Sequence, residues 1–194
     1  MTDGSAEERE RIVAAAHRSF LARGYLLTTI GDIAADAEVE LRSVYSAFGS
    51  KVGVLSAVQD EAVVGDAQPV PLLDRDWVTE LADLEPAAAL HSVVTNVAAA
   101  VERASPVHQV VSGAASDPGV GELLDLLHAQ RTETCRRLAE LVAPAPELVD
   151  QLADTLYGVL SLETYHLLVV RRGWSRSRWE AWAERCLTAG LAAP

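Results

Sequence analysis

Apolar residues recur every three or four positions along most of this chain, which is the spacing of amphipathic α-helices. Near the N-terminus, Ile12, Ala16 and Phe20 form such a stripe, and Ser5 with Glu8 has the pattern of a capping box at the start of the same helix. No segment alternates apolar and polar residues in the way that a half-exposed strand does. The pattern therefore predicts an all-α protein with about nine helices.

Proline and glycine residues divide this pattern into elements. Pro86 and Pro106 each stand where proline is well tolerated, in the first turn of a predicted helix. A loop that contains Pro69 is predicted over 65–76. Outside the segment that follows Gly24, helices are predicted over 6–23, 50–64, 77–84, 86–105, 106–115, 118–143, 146–172 and 175–191.

Gly24 begins the segment with the densest set of structural signals. It is placed to end one helix, because glycine readily takes the left-handed conformation that ends helices. Thr29 with Asp32 then has the pattern of a capping box, and small residues at Ala34 and Ala37 let two short helices cross closely. A short turn and a third helix follow. This order predicts a helix-turn-helix, the motif that places its second helix in the major groove of DNA.

The same segment resembles a known family of DNA-binding domains. From Glu8 to Leu55 the chain is similar to the N-terminal domain of the tetracycline-repressor (TetR) family of one-component regulators. The residues that match the family pattern are Gly24-Tyr25, Thr28-Thr29-Ile30, Ile33-Ala34, Ala37-Glu38-Val39-Glu40, Ser43-Val44-Tyr45-Ser46-Ala47-Phe48 and Gly49-Ser50-Lys51. The C-terminal region resembles the family's last two helices in Leu156-Tyr157, Ser161, Glu163, Tyr165, Leu167-Leu168 and Arg172-Gly173-Trp174-Ser175. The resemblance implies a helix-turn-helix DNA-binding domain over 1–50 and an effector-binding and dimerisation domain over 51–194.

The resemblance also implies which residues contact DNA. Arg42 lies near the start of the third helix, where family members touch base edges, and an arginine can bind guanine O6 and N7 together. The alternative for Arg42 is a solvated surface side chain. Ser43 and Tyr45 match positions that hydrogen-bond phosphates, a role that packing of the Tyr45 ring on the first helix would not exclude, and Lys51 matches a phosphate-binding position. The predicted DNA-binding residues are Thr29, Arg42, Ser43, Tyr45, Ser46 and Lys51.

Four positions depart from the family pattern, namely Gly31, Glu38, Glu40 and Ala47. Glu38 replaces the usual turn glycine, and a glutamate held at positive φ there would cost about 1 kcal/mol. Glu40 replaces the usual serine or threonine cap and places a carboxylate at the edge of the motif that faces DNA. Ala47 replaces a histidine or tyrosine that donates to phosphate. We therefore expect DNA binding that is weaker than is usual for the family.

The middle helices carry polar residues among apolar ones. In the family, helices 4 to 8 enclose an apolar effector cavity with a few polar anchors, as ligand sites generally do. The resemblance therefore implies an apolar or amphiphilic small-molecule effector. Two interpretations of Arg131 stay open, a ligand anchor and an ion pair within the protein. The predicted effector-binding residues are His91, Thr95, His108, Ser112, His128, Arg131 and Thr155.

The C-terminal helices predict a homodimer. The chain is apolar on nearly all sides from Leu156 to Val170, and a helix of that kind is buried on more than one side. The simplest partner is a second copy of the chain, and the family's last two helices form a four-helix bundle in the dimer. The alternative is a single-chain core. The predicted interface residues are Leu156, Leu160, Thr164, Leu167, Trp179, Trp182 and Cys186.

The charge of the chain argues against DNA binding at first. The net charge is −12, and residues 1–60 carry six basic and nine acidic side chains, a net charge of −3. Whole-chain charge is a weak test, however, because affinity for nucleic acid depends on the local patch.

Other functional classes lack their signatures. Cys135 and Cys186 are too few for a disulfide framework, which predicts a cytoplasmic protein. No apolar run reaches the roughly 20 residues of a membrane span, and the acidic N-terminus does not resemble a signal peptide. His128 lies about 10 Å along a helix from Cys135, too far for a nucleophile and base, and the histidines lack the spacing of a helical metal site. We expect no catalytic site, no metal, no cofactor and no membrane partner.

Together these predictions describe a homodimeric, ligand-responsive transcriptional repressor. It would bind a near-palindromic operator in double-stranded DNA through its helix-turn-helix, and a small apolar effector would release it. The alternative is a helical small-molecule-binding protein whose DNA-binding surface has decayed.

Overall fold

The computed structural model describes residues 3–65 and 70–192, and its regular structure in those ranges is entirely helical, without a β-strand. The predicted all-α class is confirmed. The helices are α1 (Asp3–Leu27), α2 (Ile30–Asp36), α3 (Leu41–Phe48), α4 (Lys51–Val64), α5 (Asp76–Thr79), α6 (Pro86–Gly113), α7 (Pro118–Val142), α8 (Val149–Val159), α9 (Leu162–Tyr165) and α10 (Arg176–Ala192). Short 3-10 turns lie at Leu72–Asp74, Glu80–Asp83 and Pro146–Leu148, and a π-helical segment, His166–Arg171, continues α9. Pro69 of the predicted loop lies outside the described residues.

The chain divides into two compact units. The first contains residues 3–65 and 106–126, and the second contains residues 70–105 and 127–192. Both α6 and α7 therefore contribute to each unit. The predicted boundary between a DNA-binding domain over 1–50 and an effector-binding and dimerisation domain over 51–194 stays a prediction. In the structure, α4 belongs to the first compact unit.

The core of the first unit is formed by the apolar stripe of α1. Ile12 and Phe20 are fully buried, together with Ile33 of α2 and Val44 of α3. Burial of such side chains contributes roughly 1.5–3 kcal/mol each. The stripe therefore holds the two short helices of the helix-turn-helix against the longer α1.

The core of the second unit is centred on Trp179 of α10. Trp179 is fully buried, and its ring meets that of Tyr165 edge-on, with centroids 5.2 Å apart. Leu152 and Leu156 of α8 belong to the same buried cluster. This packing joins α8, α9 and α10 within one chain.

Several predicted helix boundaries are confirmed by the geometry of their caps. Gly24 interrupts α1 with a φ of 75°. The Ser50 hydroxyl accepts a hydrogen bond from the Gly53 amide (3.1 Å) at the start of α4, and the Ser175 hydroxyl accepts one from the Arg178 amide (3.2 Å) at the start of α10. These hydroxyl groups satisfy backbone donors that the first turn of a helix leaves without partners.

Pro106 does not begin a helix, contrary to the prediction. The helices expected over 86–105 and 106–115 are a single helix, α6, with Pro106 inside it. A proline in a helix interior removes a backbone hydrogen bond and costs about 3 kcal/mol. Ala104 and Val107 on either side of it are fully buried, however. Burial of the flanking residues therefore outweighs the local preference of proline.

The long helix predicted over 146–172 is broken. Leu160 leaves helical geometry (φ −89°, ψ 38°), and α9 begins after Ser161. The Ser161 hydroxyl accepts a hydrogen bond from the Thr164 amide (3.0 Å), and the Thr164 hydroxyl donates one to the Val159 carbonyl (2.8 Å). Side-chain hydroxyl groups thus replace backbone bonds that the break removes. The apolar spacing does not reveal this break, because it continues on both sides.

Candidate functional site

The predicted helix-turn-helix is present as α2, the turn over 37–40 and α3. Thr29 caps α2, because its hydroxyl accepts a hydrogen bond from the Asp32 amide and its own amide donates one to the Asp32 carboxylate, both 3.1 Å long. Hydrogen bonds from the Thr29 side chain and backbone lower the pKa of Asp32. The predicted capping box is therefore confirmed, and Thr29 lies exposed at the start of α2.

The turn ends α2 in a Schellman motif whose left-handed residue is Glu38. The Val39 amide donates to the Ala34 carbonyl (3.0 Å), and the Glu38 amide donates to the Ala35 carbonyl (3.2 Å). Glu38 has a φ of 55°, the only positive φ of a non-glycine residue in the described part of the chain. A glutamate therefore occupies a position where glycine is usual, as the comparison with the family pattern implied.

One side of α3 is buried and the other is exposed. Val44 is fully buried, whereas Leu41, Arg42, Tyr45 and Ser46 are exposed, with Tyr45 at 51%. Residues at this spacing lie along one face of a helix. An eight-residue helix with one uncovered face has the dimensions and the accessibility that the major groove of DNA requires.

The half-buried Ser43 lies at the edge of that face, where α3 meets α1. An open groove of about 680 Å³ runs between the two helices. Its lining includes Ser43, Ser46 and Ala47 of α3 and Ser5, Glu8, Arg9 and Ile12 of α1. The small side chain of Ala47 leaves this groove open on the side of α3.

Arg42 is paired with Glu40. The Arg42 Nε atom lies 2.6 Å from Oε2 of Glu40, and both side chains are largely exposed. Glu40 is the residue immediately before α3, and its side chain makes no capping hydrogen bond to the helix. The sequence did not predict this pair, because residues two apart do not face each other within a helix. Glu40 reaches Arg42 because its own backbone is still extended (φ −72°, ψ 144°).

Lys51, at the start of α4, is bound to the end of α1. Its Nζ atom donates to the Tyr25 carbonyl (3.0 Å) and to the Thr28 carbonyl (3.1 Å), and it lies 4.0 Å from the centre of the Tyr25 ring. A lysine ammonium has three donors, so a phosphate contact would use the third. The sequence predicted the phosphate contact and missed this internal role, which only the folded chain brings about.

The predicted effector-binding residues are divided between the two units. His108 and Ser112 belong to the first unit and bond to each other (3.2 Å), with His108 buried. The other five belong to the second unit. Of these, the exposed His91 pairs with Glu184, and the Thr155 hydroxyl donates to the Gln151 carbonyl (2.7 Å).

Arg131 forms an ion pair within the second unit. Its Nη1 atom donates to Glu163 (2.8 Å), and its guanidinium lies 4.2 Å from the centre of the Tyr157 ring. His128 accepts from Nη2 of Arg131 (3.3 Å) and bonds to the Tyr157 hydroxyl (2.8 Å). Burial by itself would lower the pKa of Arg131, but hydrogen bonds to Glu163 and Tyr157 raise it above its usual value. The ion-pair interpretation of Arg131 is therefore the one found in the structure. Its partners Tyr157 and Glu163 were not predicted as site residues.

Three of the predicted dimer-interface residues are buried within one chain, and the interface itself stays a prediction. Leu156, Leu160 and Trp179 are buried in the core of a single chain, so they have almost no surface to offer a partner. The single-chain core, the alternative interpretation, accounts for these three. Thr164, Trp182 and Cys186 are partly buried. The predicted residue that is most accessible is Leu167, 59% exposed, and Val170 nearby is 58% exposed.

The described residues lack a metal site. They contain no group of histidine, cysteine, aspartate or glutamate side chains that could hold a metal ion. Burial raises the pKa of the Cys135 thiol to about 11, so this cysteine is protonated at neutral pH and is not an activated nucleophile. In the same ranges, no helix is long and apolar enough to cross a membrane.

The N-terminal region is similar to a known protein family. Residues 12–58 match the family described as bacterial regulatory proteins, tetR family. This match covers α2, α3 and most of α1 and α4. None of the curated proteins matches the chain.

Several solved structures are similar over nearly the whole chain. A TetR-family transcriptional regulator from Mesorhizobium loti MAFF303099 is 18% identical, with 99% of this chain and 98% of that chain covered and a TM-score of 0.71. A TetR-like transcriptional regulator from Rhodococcus sp. RHA1 is 20% identical, with 96% and 97% covered and a TM-score of 0.62. The multidrug binding protein EbrR, solved in complex with imidazole, is 21% identical, with 97% and 92% covered and a TM-score of 0.62. At these identities the likeness shows the fold alone.

Proposed function

We propose that this chain is a ligand-responsive transcriptional repressor that acts as a cytoplasmic homodimer. Two observations support this proposal. Residues 12–58 match the TetR family of bacterial regulatory proteins, and the fold is that of TetR-family regulators. The family consists of non-enzymatic DNA-binding regulators, in agreement with the prediction that the chain is not an enzyme.

The uncovered face of α3 is the observation that supports DNA binding. Arg42, Tyr45 and Ser46 are exposed there, while Val44 anchors the opposite side of the helix in the core. In a dimer, two such helices would enter successive major grooves of a near-palindromic operator, about one helical turn of DNA apart.

A binding titration tests this proposal directly. Fluorescence anisotropy of the full chain with duplexes from the DNA upstream of its own gene should show one preferred sequence over a scrambled one. Arg42→Ala should remove most of that preference, because an arginine that binds guanine with two hydrogen bonds contributes about 1–3 kcal/mol of discrimination. Arg137→Ala, which removes the same charge from an exposed site on α7, is the matched control and should bind like the wild type.

Homodimerisation is proposed through the exposed surface near Leu167 and Val170 rather than through the buried residues of α8. A patch of exposed leucine and valine on one segment of a soluble chain is typical of a protein contact. Trp182 and Cys186 of α10, which are partly buried in one chain, would be covered further in the dimer.

Release from DNA is proposed to follow the binding of a small apolar effector. EbrR, which is described as a multidrug binding protein, shares this fold at 21% identity. An effector would release DNA only through different affinities for two states of the dimer. Titration of lipophilic compounds into a preformed protein–DNA complex would test this step, because an effector lowers anisotropy without unfolding the chain.

The role of Arg131 can be separated from effector binding. The ion pair with Glu163 supports a structural role, so Arg131→Met should lower the free energy of unfolding by about 1–3 kcal/mol, because Glu163 loses its charged partner in a partly buried place. Arg137→Met on the exposed side of α7 is the control. Unchanged stability together with a selective loss of carboxylate ligands would instead support an anchoring role.

The alternative function is a small-molecule-binding protein whose DNA-binding surface has decayed. The net charge of −3 over residues 1–60 favours it. It would be accepted if the wild-type chain showed no preference for any upstream duplex at low salt while still binding lipophilic ligands.

A further inference from the structure

The pair formed by Glu40 and Arg42 occupies the start of the helix that we propose to enter the major groove. Glu40 lies immediately before α3 and makes no capping hydrogen bond, although that is the usual task of a polar side chain at this position. Its Oε2 atom instead lies 2.6 Å from Nε of Arg42 in an ion pair. The two side chains are 70% and 86% exposed, so no neighbouring group forces them together.

The geometry of the pair leaves the two terminal nitrogens of Arg42, Nη1 and Nη2, available for contact with a base. A guanidinium has five N–H donors in a fixed plane, and the Glu40 carboxylate lies against its Nε side. No other polar partner of Arg42 lies among residues 3–65 and 70–192. The terminal nitrogens Nη1 and Nη2 can therefore donate together to O6 and N7 of one guanine, which is the most common specific contact of an arginine.

We propose that Glu40 is a positioning residue that holds Arg42 for the recognition of a single guanine. This inference rests on the proposed DNA-binding function. An isolated arginine loses much rotamer freedom when it is ordered, and a carboxylate bound to Nε removes part of that freedom before DNA arrives. The carboxylate also neutralises the charge of the arginine. Compared with an unpaired arginine, the pair is therefore attracted less strongly to phosphate and discriminates more strongly between bases.

The substitution Glu40→Gln distinguishes this proposal from the hypothesis that Glu40 only repels DNA. If Glu40 only repelled phosphates, Glu40→Gln would tighten binding equally to all sequences. If Glu40 positions Arg42, Glu40→Gln will weaken the preference for guanine at one base pair, while affinity for other sequences is kept or raised.

The experiment begins by finding the base pair that Arg42 reads. Full-length wild type and Arg42→Lys are each selected against a pool of duplexes with a random central sequence, and the bound DNA is sequenced. A lysine cannot reproduce the planar contact that an arginine makes with two hydrogen bonds. The base pair that Arg42 reads is therefore the one at which the wild type requires guanine but Arg42→Lys does not. Failure of the wild type to enrich any sequence would overturn the proposed function and this inference with it.

Dissociation constants are then measured by anisotropy for the selected duplex and for one in which that G·C pair is replaced by A·T. We expect wild type to prefer guanine by about 10-fold to 100-fold, and Glu40→Gln to lose roughly twofold to fivefold of this preference, because an exposed ion pair contributes at most about 1 kcal/mol. Glu10→Gln, which removes an exposed carboxylate from α1, is the matched control and should keep the full preference.

A double-mutant cycle separates positioning from a structural effect on α3. In the Arg42→Lys background, Glu40→Gln should have no further effect on the guanine preference, since the group that it positions is absent. Thermal unfolding should be nearly unchanged in both single variants, because exposed ion pairs contribute little to stability. The inference is overturned, with the proposed function intact, if Glu40→Gln keeps the full guanine preference or if its effect persists in the Arg42→Lys background.

Discussion

Glu38 occupies a backbone conformation that disfavours every residue with a side chain other than a few short polar ones. At a φ of 55°, its Cβ crowds the following carbonyl oxygen, which costs roughly 1–2 kcal/mol relative to the ordinary helical region. The Schellman hydrogen bonds from Glu38 and Val39 hold the residue there because they end α2 and set the direction in which α3 departs. These hydrogen bonds and the resulting geometry of the turn therefore offset the strain at Glu38.

Replacement of Glu38 by glycine should stabilise the protein. Glycine relieves the steric strain but loses more chain entropy on folding, by about 0.5–1 kcal/mol, so we expect a net gain of about 0.5–1 kcal/mol in the free energy of unfolding. Urea denaturation followed by far-UV circular dichroism would measure it. Ala35→Gly in the exposed part of α2 is the control and should lose about 1 kcal/mol. A loss of stability in Glu38→Gly would mean that the glutamate side chain makes contacts which offset the strain.

At the scale of elements, the break between α8 and α9 decides which apolar residues are accessible. Leu160 lies at the end of α8 and is buried, whereas Leu167, on the π-helical segment, is exposed. A continuous helix would have placed both residues, seven positions apart, on nearly the same face. The change in helical geometry between them separates a core position from a surface position.

Substitutions at these two leucines should therefore have different results. Leu167→Glu should leave the chain folded but dissociate the proposed dimer, because a charge would be buried at the contact. Leu160→Arg should instead unfold the second unit, because it places an unpaired charge in the core of one chain. Sedimentation velocity and circular dichroism distinguish the two results. Leu84→Glu, at an exposed leucine before α6, is the control and should remain dimeric. A wild-type monomer at micromolar concentration, or a dimer that survives Leu167→Glu, would refute this interface.

At the scale of the whole molecule, the net charge of −12 opposes binding to any polyanion. Part of the acidity near the helix-turn-helix is compensated locally. Arg42 pairs with Glu40 and Arg23 lies 3.8 Å from Asp32. The electrostatic attraction that remains for DNA is small, so base contacts must supply a larger share of the specific affinity than in a basic protein.

The salt dependence of DNA binding should reflect this shortage of cations. With Arg42 paired to Glu40 and directed at a base, Lys51 from each subunit is the remaining proposed phosphate contact, about two per dimer, which predicts a slope of about −2 in a plot of log K against log salt concentration. Anisotropy titrations of the selected operator at several salt concentrations would measure it. A slope steeper than about −6 would require basic contacts other than Lys51, and a slope near zero would exclude phosphate contacts by Lys51.

The amino-acid sequence by itself determined the features that depend on neighbours along the chain. Gly24, the Thr29–Asp32 capping box, and the hydroxyl caps Ser50 and Ser175 all act within one helical turn, so their chemistry could be recognised from spacing alone. The order of these signals, with the family resemblance, predicted the helix-turn-helix and the all-α fold.

Only the tertiary structure decided the features that depend on burial and on distant partners. Burial kept α6 continuous through Pro106, and it placed Leu156 inside the chain rather than at a surface. Lys51 donates to carbonyl groups that lie 23 and 26 residues away along the chain. Arg131 of α7 donates to Glu163 of α9, which lies 32 residues away. Apolar spacing predicts that a residue is buried, but it does not reveal which surface covers the residue. Burial against the same chain and burial against a second chain contribute similar free energies.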